Sequence, residues 1–166
     1  LAADGRRIVL SDHELLATPG TVVLTDGDLV VASGGARGVT AATLVELAGT
    51  AHLNFLLLGR TALVEEPACC HGISDDAGLK SALLAETKQT GTKLTPVELG
   101  KTVSTILAGR EIRATLEAMA KQGSQAQYVP VDVTSLNSVQ QALDAARRDF
   151  GPIRALVHGA GVIADK

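Results

Sequence analysis

Aromatic side chains make up only 2% of the 166 residues, with no Trp, one Tyr and two Phe. A core built without them has to be filled by small and aliphatic groups, and 46% of the chain is hydrophobic. Ala, Val, Leu and Gly dominate, a balance that suits helices packed closely on a buried parallel sheet. Cysteine is almost missing. Cys69 and Cys70 are neighbours, so they cannot staple distant segments, and they give no sign of an oxidising compartment. With His71 they form a CCH run, but a metal site needs four converging ligands, so no metal is expected. Neither sign of charge prevails: 15 Lys and Arg face 18 Asp and Glu, a net charge of −3. That mixed balance leaves no electrostatic footprint for nucleic acid or for an acidic membrane surface. No apolar run approaches the roughly 20 residues that cross a bilayer, and LAADGRRIVL at the start is no signal peptide. A cytoplasmic location is expected. The chain starts at Leu1 without an initiator Met and stops at Lys166 just after a glycine-bearing turn, which reads as a piece of a larger polypeptide.

What is present is a glycine-rich turn between an apolar run and an amphipathic stretch, LVVASGGARGVTAATLVELAG at residues 29–49. A parallel strand that runs into a helix aims free backbone N–H groups and the positive end of the helix dipole at one spot, which suits a pyrophosphate. Gly34 and Gly38 allow a tight turn and close approach to a ligand, and Gly35 adds slack between them. Ser33 and Val39 flank them.

Before this turn, residues 7–28 hold short apolar stretches, Ile8 to Leu10 and Thr21 to Leu24, broken by Pro19-Gly20 and Asp26-Gly27-Asp28. They read as a β-rich lead-in or linker. From Leu29 the pattern alternates: strand 29–33, helix 39–48, strand 53–58, a long helical stretch, strand 127–131, helix 136–149, strand 153–158. Such alternation implies right-handed crossovers and a parallel sheet, an α/β, Rossmann-like fold with helices on both faces. Gly49 and Gly151-Pro152 serve as helix stops. Almost seventy residues separate the second and third strands, against the dozen or so that a crossover minimally needs. The excess predicts a helical insertion at about 62–109. Thr95-Pro96-Val97-Glu98 is a capping box that predicts a helix over 96–108. Ile112, Leu116 and Met119 share one face of a second helix, 110–122, and Leu79, Leu83 and Leu84 line another at 75–89, capped by Ser74.

The residue about twenty positions past the glycine turn meets the adenosine ribose in a dinucleotide fold, and an acid there accepts the 2′-hydroxyl of NAD. This chain has Arg60 in LLLGR instead. A guanidinium donates paired, charged hydrogen bonds to a 2′-phosphate, so NADP is the expected cofactor. Arg37 adds a second positive group on the same side. Asp132, with Val133 next to it, follows the third strand and so sits at the sheet's carboxyl edge; it either accepts from the adenine amino group or caps the next helix. Gly159, Ala160 and Gly161 form another turn at that edge, with little bulk to keep a ribose away. His158 beside them reads as a packed polar residue.

These motifs carry a resemblance. SGGARGVT is similar to the TGxxxGxG signature of the short-chain dehydrogenase/reductase superfamily, with Ser33 for Thr and Thr40 in place of the final Gly. VDVT and HGAG resemble its adenine-contacting Asp turn and its NNAG turn. GRTALVEEP, the insertion with KLTP, and the segment from Arg110 to Asp132 most resemble ketoreductase domains of polyunsaturated fatty acid and polyketide synthases.

The resemblance implies that residues 29–166 are the NADPH-binding half of such a domain, with the first four strands of its sheet. Residues 1–28 would be a linker or the tail of the structural ketoreductase subdomain. The implied activity is hydride transfer from NADPH to a β-ketoacyl chain carried on acyl carrier protein. The implied partners are that carrier, the rest of the ketoreductase domain and neighbouring synthase domains, with homodimerisation through the parent synthase. Ile163-Ala164-Asp165 keeps only the last residue of the Leu-Asp-Asp triplet that accompanies D-hydroxyl products. The superfamily's catalytic Ser, Tyr and Lys are expected beyond Lys166, because Tyr128 lies in a strand and has Asp132 four residues on. The alternatives are a nucleotide-binding scaffold without chemistry and an NADP-dependent dehydrogenase of small alcohols.

Overall fold

The computed structural model describes residues 23–91 and 94–161. The apolar stretch at Ile8 to Leu10, most of the lead-in and the triplet at 163–165 lie outside the described residues. Four strands, β1 (Leu29–Ser33), β2 (Asn54–Gly59), β3 (Gln125–Pro130) and β4 (Ile153–His158), form one parallel sheet in the order β3-β2-β1-β4. The helices are α1 (Gly38–Ala48), α2 (Asp76–Thr90), α3 (Pro96–Lys121) and α4 (Leu136–Phe150), with a short 3-10 turn at Ala68–Cys70.

Strand position explains strand sequence. β1 is central, and all five of its residues are buried, as its uninterrupted LVVAS requires. One face packs Val30, Ala32, Phe55 and Leu57 against Leu44 of α1 and Ile112 and Met119 of α3. The other packs Leu29, Val31, Leu56 and Leu58 against Ala142 and Ala146 of α4. The expected helix-sheet-helix layering is present. Buried Ser124 ties three elements together, accepting from Leu53 N–H at 3.0 Å and donating to the Ala48 carbonyl at 3.0 Å at the end of α1.

The insertion differs from its expected form. Helices 96–108 and 110–122 are one helix of 26 residues, α3, running from the insertion straight into the crossover. Gly109 invites a break, since glycine in a helix interior costs about 1 kcal/mol. Here it is buried instead: a Cβ would come within 3.3 Å of the Arg113 guanidinium, so the missing side chain makes room for that arginine. The Thr95–Glu98 capping box forms as expected, with Thr95 N–H donating to Glu98 at 2.8 Å and Glu98 N–H to Thr95 Oγ1 at 3.3 Å. α2 is capped by Asp75, not Ser74, through Gly78 N–H at 2.8 Å. β3 begins at Gln125, two residues before the expected 127, because Gln125 N–H already pairs with the Leu53 carbonyl. Helices α2 and α3 close a separate cluster of Cys70, Leu79, Leu83, Leu99, Val103 and Ile106.

Candidate cofactor site

Parallel pairing brings the carboxyl ends of the strands level. The ladder extends one residue past β1, β3 and β4: Gly34 N–H donates to the Leu58 carbonyl at 2.8 Å, Val131 N–H to Gly59 at 2.7 Å and Gly159 N–H to Ser33 at 2.8 Å. The chain leaves β1 toward β2 on one side and reaches β4 on the other, so a crevice opens above β1, where ligands of such sheets bind. A pocket of about 390 Å³ lies at this edge, lined by Gly34, Leu58, Gly59, Arg60, Val131, Asp132, Val133, Thr134, Gly159, Ala160 and Gly161. Its size falls within the range of small-molecule sites, roughly 300–1,000 Å³.

The two glycine turns meet at its floor. Gly34 has φ +69°, and a Cβ there would stand 2.7 Å from Ala160 N and 2.8 Å from the Gly159 carbonyl. No side chain fits. Gly159 in turn faces Thr40, whose Oγ1 would lie 2.6 Å from a Cβ. Thr40, the departure from the glycine signature, is therefore accommodated by the second turn. Ser33 is buried beneath the pocket and shares a 2.6 Å hydrogen bond with His158 Nδ1. Gly35 is buried against Leu44 and Ala32.

Arg60 is exposed at the end of β2. Asp132 accepts from Thr134 N–H at 3.0 Å and Thr134 Oγ1 at 2.8 Å, both on Oδ1. These bonds, foremost the backbone one, hold its carboxyl below the usual range, and the Arg60 charge adds to them. The N-cap of α4 is Ser135, so the capping alternative for Asp132 is not the one adopted.

Arg37, Gly38 and Val39 lie outside the pocket lining. Val39 is 84% exposed on the first turn of α1. Arg37 donates from Nε to Glu111 Oε2 at 2.7 Å, and Gly38 N–H donates to Glu111 Oε1 at 3.0 Å. No motif in the sequence points to Glu111, which comes from α3, 73 residues from Gly38. Tyr128 had a visible role only as a strand residue. Its hydroxyl donates to the Thr61 carbonyl at 2.7 Å and lies 2.8 Å from where a Cβ on Gly59 would be, so it fixes the turn that carries Arg60. Burial raises the Tyr128 phenol. Cys69 donates to Glu86 at 3.1 Å, and burial first, then that bond, pushes its thiol up to about 12. It is no thiolate nucleophile at neutral pH.

A parallel sheet of this order, with a glycine turn closing on a second glycine turn above its central strand, defines a Rossmann-like α/β fold. Comparison with known proteins narrows the class. Residues 29–166 match the KR domain family, and the chain belongs to it. It is 34% identical over 153 residues to a polyunsaturated fatty acid synthase polypeptide of Thraustochytrium sp., covering 86% of this chain and 5% of that protein. Among solved structures it resembles an N-terminal ketoreductase from the macrolactin assembly line, at TM-score 0.55 and 20% identity over 90% of this chain and 21% of the other. Carveol dehydrogenase from Mycobacterium avium, solved in complex with NAD, matches at TM-score 0.52 and 18% identity, over 84% of this chain and 38% of the other. The chain thus spans a small part of each relative. No helix among the described residues is long and apolar enough to cross a membrane.

Proposed function

We propose that residues 29–166 are the NADPH-binding part of a β-ketoacyl-(acyl carrier protein) reductase domain in a polyketide or polyunsaturated fatty acid synthase. Family membership supports the ketoreductase reading. The observation that carries the cofactor is the joint lining of one pocket by Gly34, Arg60, Asp132 and the Gly159–Gly161 turn. A dinucleotide needs a surface without side chains for its ribose and pyrophosphate, and the 2.7 Å approach at Gly34 provides one. It also needs a polar acceptor for adenine, which Asp132 supplies, and a selective group at the 2′ position. Arg60, with no acidic side chain in its place, favours a phosphate there. Ser33, Gly35, Gly38 and Val39 shape the turn that approaches the pyrophosphate, and Val133 backs the adenine side. Arg37 is a second basic group for the 2′-phosphate.

NADPH, when bound, supplies the hydride. The described residues of this chain bind and orient it, and the proton that the reduced carbonyl oxygen takes up comes from another segment of the ketoreductase domain. Tyr128, the one tyrosine here, is not that donor: burial raises its phenol and its proton is committed to the Thr61 carbonyl. The substrate is a β-ketoacyl thioester on acyl carrier protein, the product a β-hydroxyacyl thioester. The remaining ketoreductase segments, neighbouring synthase domains and a second copy of the synthase are the protein partners, in the cytoplasm, with residues 1–28 as the lead-in from the structural subdomain.

The test is a titration of NADPH and NADH against a ketoreductase domain that contains this chain, beside its Arg60→Ala variant. The expected result is tighter binding of NADPH and a selective loss of about tenfold or more in the variant, the size of one or two charged hydrogen bonds. Equal losses for both cofactors would remove Arg60 from the 2′-phosphate.

A further inference from the structure

Helix α3 grips three consecutive residues of the glycine turn. Thr115 Oγ1 donates to the Ala36 carbonyl at 3.0 Å, Arg37 Nε donates to Glu111 Oε2 at 2.7 Å, and Gly38 N–H donates to Glu111 Oε1 at 3.0 Å. Both oxygens of one carboxylate are spent on neighbouring residues, one on a side chain and one on a backbone amide. This is a geometric clamp, not a loose surface pair, although both side chains are nearly half exposed. The carboxyl is held below its usual range, first by the Arg37 bond and then by the Gly38 bond.

The bond to Arg37 uses Nε and leaves both terminal nitrogens of the guanidinium for another anion. A guanidinium held at Nε keeps its planar fork in one orientation, which is what recognition of a phosphate by paired bonds requires. Arg37 lies four residues past the end of β1 and Arg60 one past the end of β2, and these two strands are paired through Ser33 and Leu58. Both arginines therefore follow the carboxyl ends of neighbouring strands.

Resting on the NADPH reading above, we propose that Glu111 is a positioning residue for cofactor selectivity, holding Arg37 by Nε so that its terminal nitrogens meet the 2′-phosphate. The sign of its effect is diagnostic. A carboxylate near a phosphate repels it, so if charge alone mattered, removing Glu111 would raise the preference for NADPH. A positioning role lowers that preference, because a released arginine has to be ordered again at the cost of its side-chain freedom.

The experiment measures dissociation constants of NADPH and NADH by reduced-nicotinamide fluorescence on the ketoreductase domain containing this chain. Thermal melting without cofactor runs alongside. The variants are Glu111→Ala, Glu111→Gln, Arg37→Ala, the Arg37→Ala/Glu111→Ala pair and Arg60→Ala. In Glu111→Ala the preference for NADPH over NADH is expected to fall about fivefold, through NADPH, an effect of the size of one ordered side chain. Arg37→Ala lowers it at least as far, and the double variant no further, since both act on one contact. Glu111→Gln keeps an acceptor for Gly38 N–H, so it preserves the turn should Glu111→Ala fail to fold, and it still loses part of the preference. An unchanged or raised preference in both Glu111 variants overturns the proposal, as does an equal loss of both cofactors, which marks a purely structural clamp. If the wild type does not prefer NADPH, or Arg60→Ala leaves the preference intact, the NADPH reading itself fails. If Arg60→Ala abolishes the preference and the Glu111 variants keep it, only the role of Glu111 fails.

Discussion

Two glycines of the same turn make different demands on the chain. Gly34 and Gly38 both have φ near +65°, at +69° and +63°, a region that costs an ordinary residue about 1–2 kcal/mol. A Cβ on Gly38 meets nothing within 4 Å, whereas one on Gly34 drives into the backbone of Gly159 and Ala160. Backbone atoms cannot step aside as the end of a flexible side chain can. Gly38→Ala should therefore cost about 1 kcal/mol in urea unfolding, while Gly34→Ala should cost more than about 2 kcal/mol and weaken cofactor binding as its two turns part. Equal costs for the two variants would mean that the turns do not close on each other as described. The conventional motif ends in glycine where this chain has Thr40, and the same contact explains it. The bulk that is absent at Gly159 is supplied by Thr40, so the pair is read together.

At the scale of elements, legibility follows the range of the interactions. β1, α1 and the Thr95–Glu98 box are set by residues within a few positions of one another, and their patterns in sequence match what forms. The pocket residues Gly34, Arg60, Asp132 and Gly159–Gly161 were legible because parallel strands bring their carboxyl ends to one edge whatever fills the crossovers. Two features escaped because they are made by packing. Gly109 reads locally as a break, yet α3 runs through it, with the Arg113 guanidinium packed 3.3 Å from where its Cβ would stand. Glu111 is one more charged residue on a helix until the fold delivers it to Arg37. α3 also carries the ties to the insertion: Arg110 donates to Glu66 from Nε at 2.9 Å and to the Cys70 carbonyl at 3.0 Å, and Arg113 donates to the Val64 carbonyl at 2.6 Å. One helical segment thus holds the insertion through Arg110 and Arg113, and the glycine turn through Glu111 and Thr115.

These ties have a pH dependence. The Arg110 bond holds Glu66, and the Arg37 bond holds Glu111, below the ordinary value of 4.5. A folded-state value below the unfolded one means stability that is complete above about pH 4.5 and drains away as pH falls through the lowered values. Thermal melts from pH 7 to pH 3 should show this loss. Glu66→Gln, which cannot titrate, should melt below the wild type at pH 7 and approach it as pH drops. A gap that stays constant across that range would exclude Glu66 as a source of acid lability.

For the whole molecule, the order β3-β2-β1-β4 places two strands at the edges of the described sheet, and they are unlike each other. β3 is guarded: Gln125 and Gln127 are exposed polar residues, and Pro130 ends the strand without an N–H to offer. Such residues discourage pairing with another chain. β4 alternates half-buried and exposed residues, with Ala155 and Val157 packed toward α1 and α3 while Arg154, Leu156 and His158 face away. Leu156 is 72% exposed in the middle of that strand, and an edge strand's unpaired N–H and C=O groups beside exposed apolar surface template pairing. The 166-residue chain on its own should therefore associate through β4, with a concentration-dependent mass in light scattering. Leu156→Lys should reduce that association, because burying a charge between paired sheets is costly, while a substitution at Gln127 should leave it unchanged. A monodisperse monomer at tens of micromolar, or association that survives Leu156→Lys, would show that β4 is not the adhesive edge.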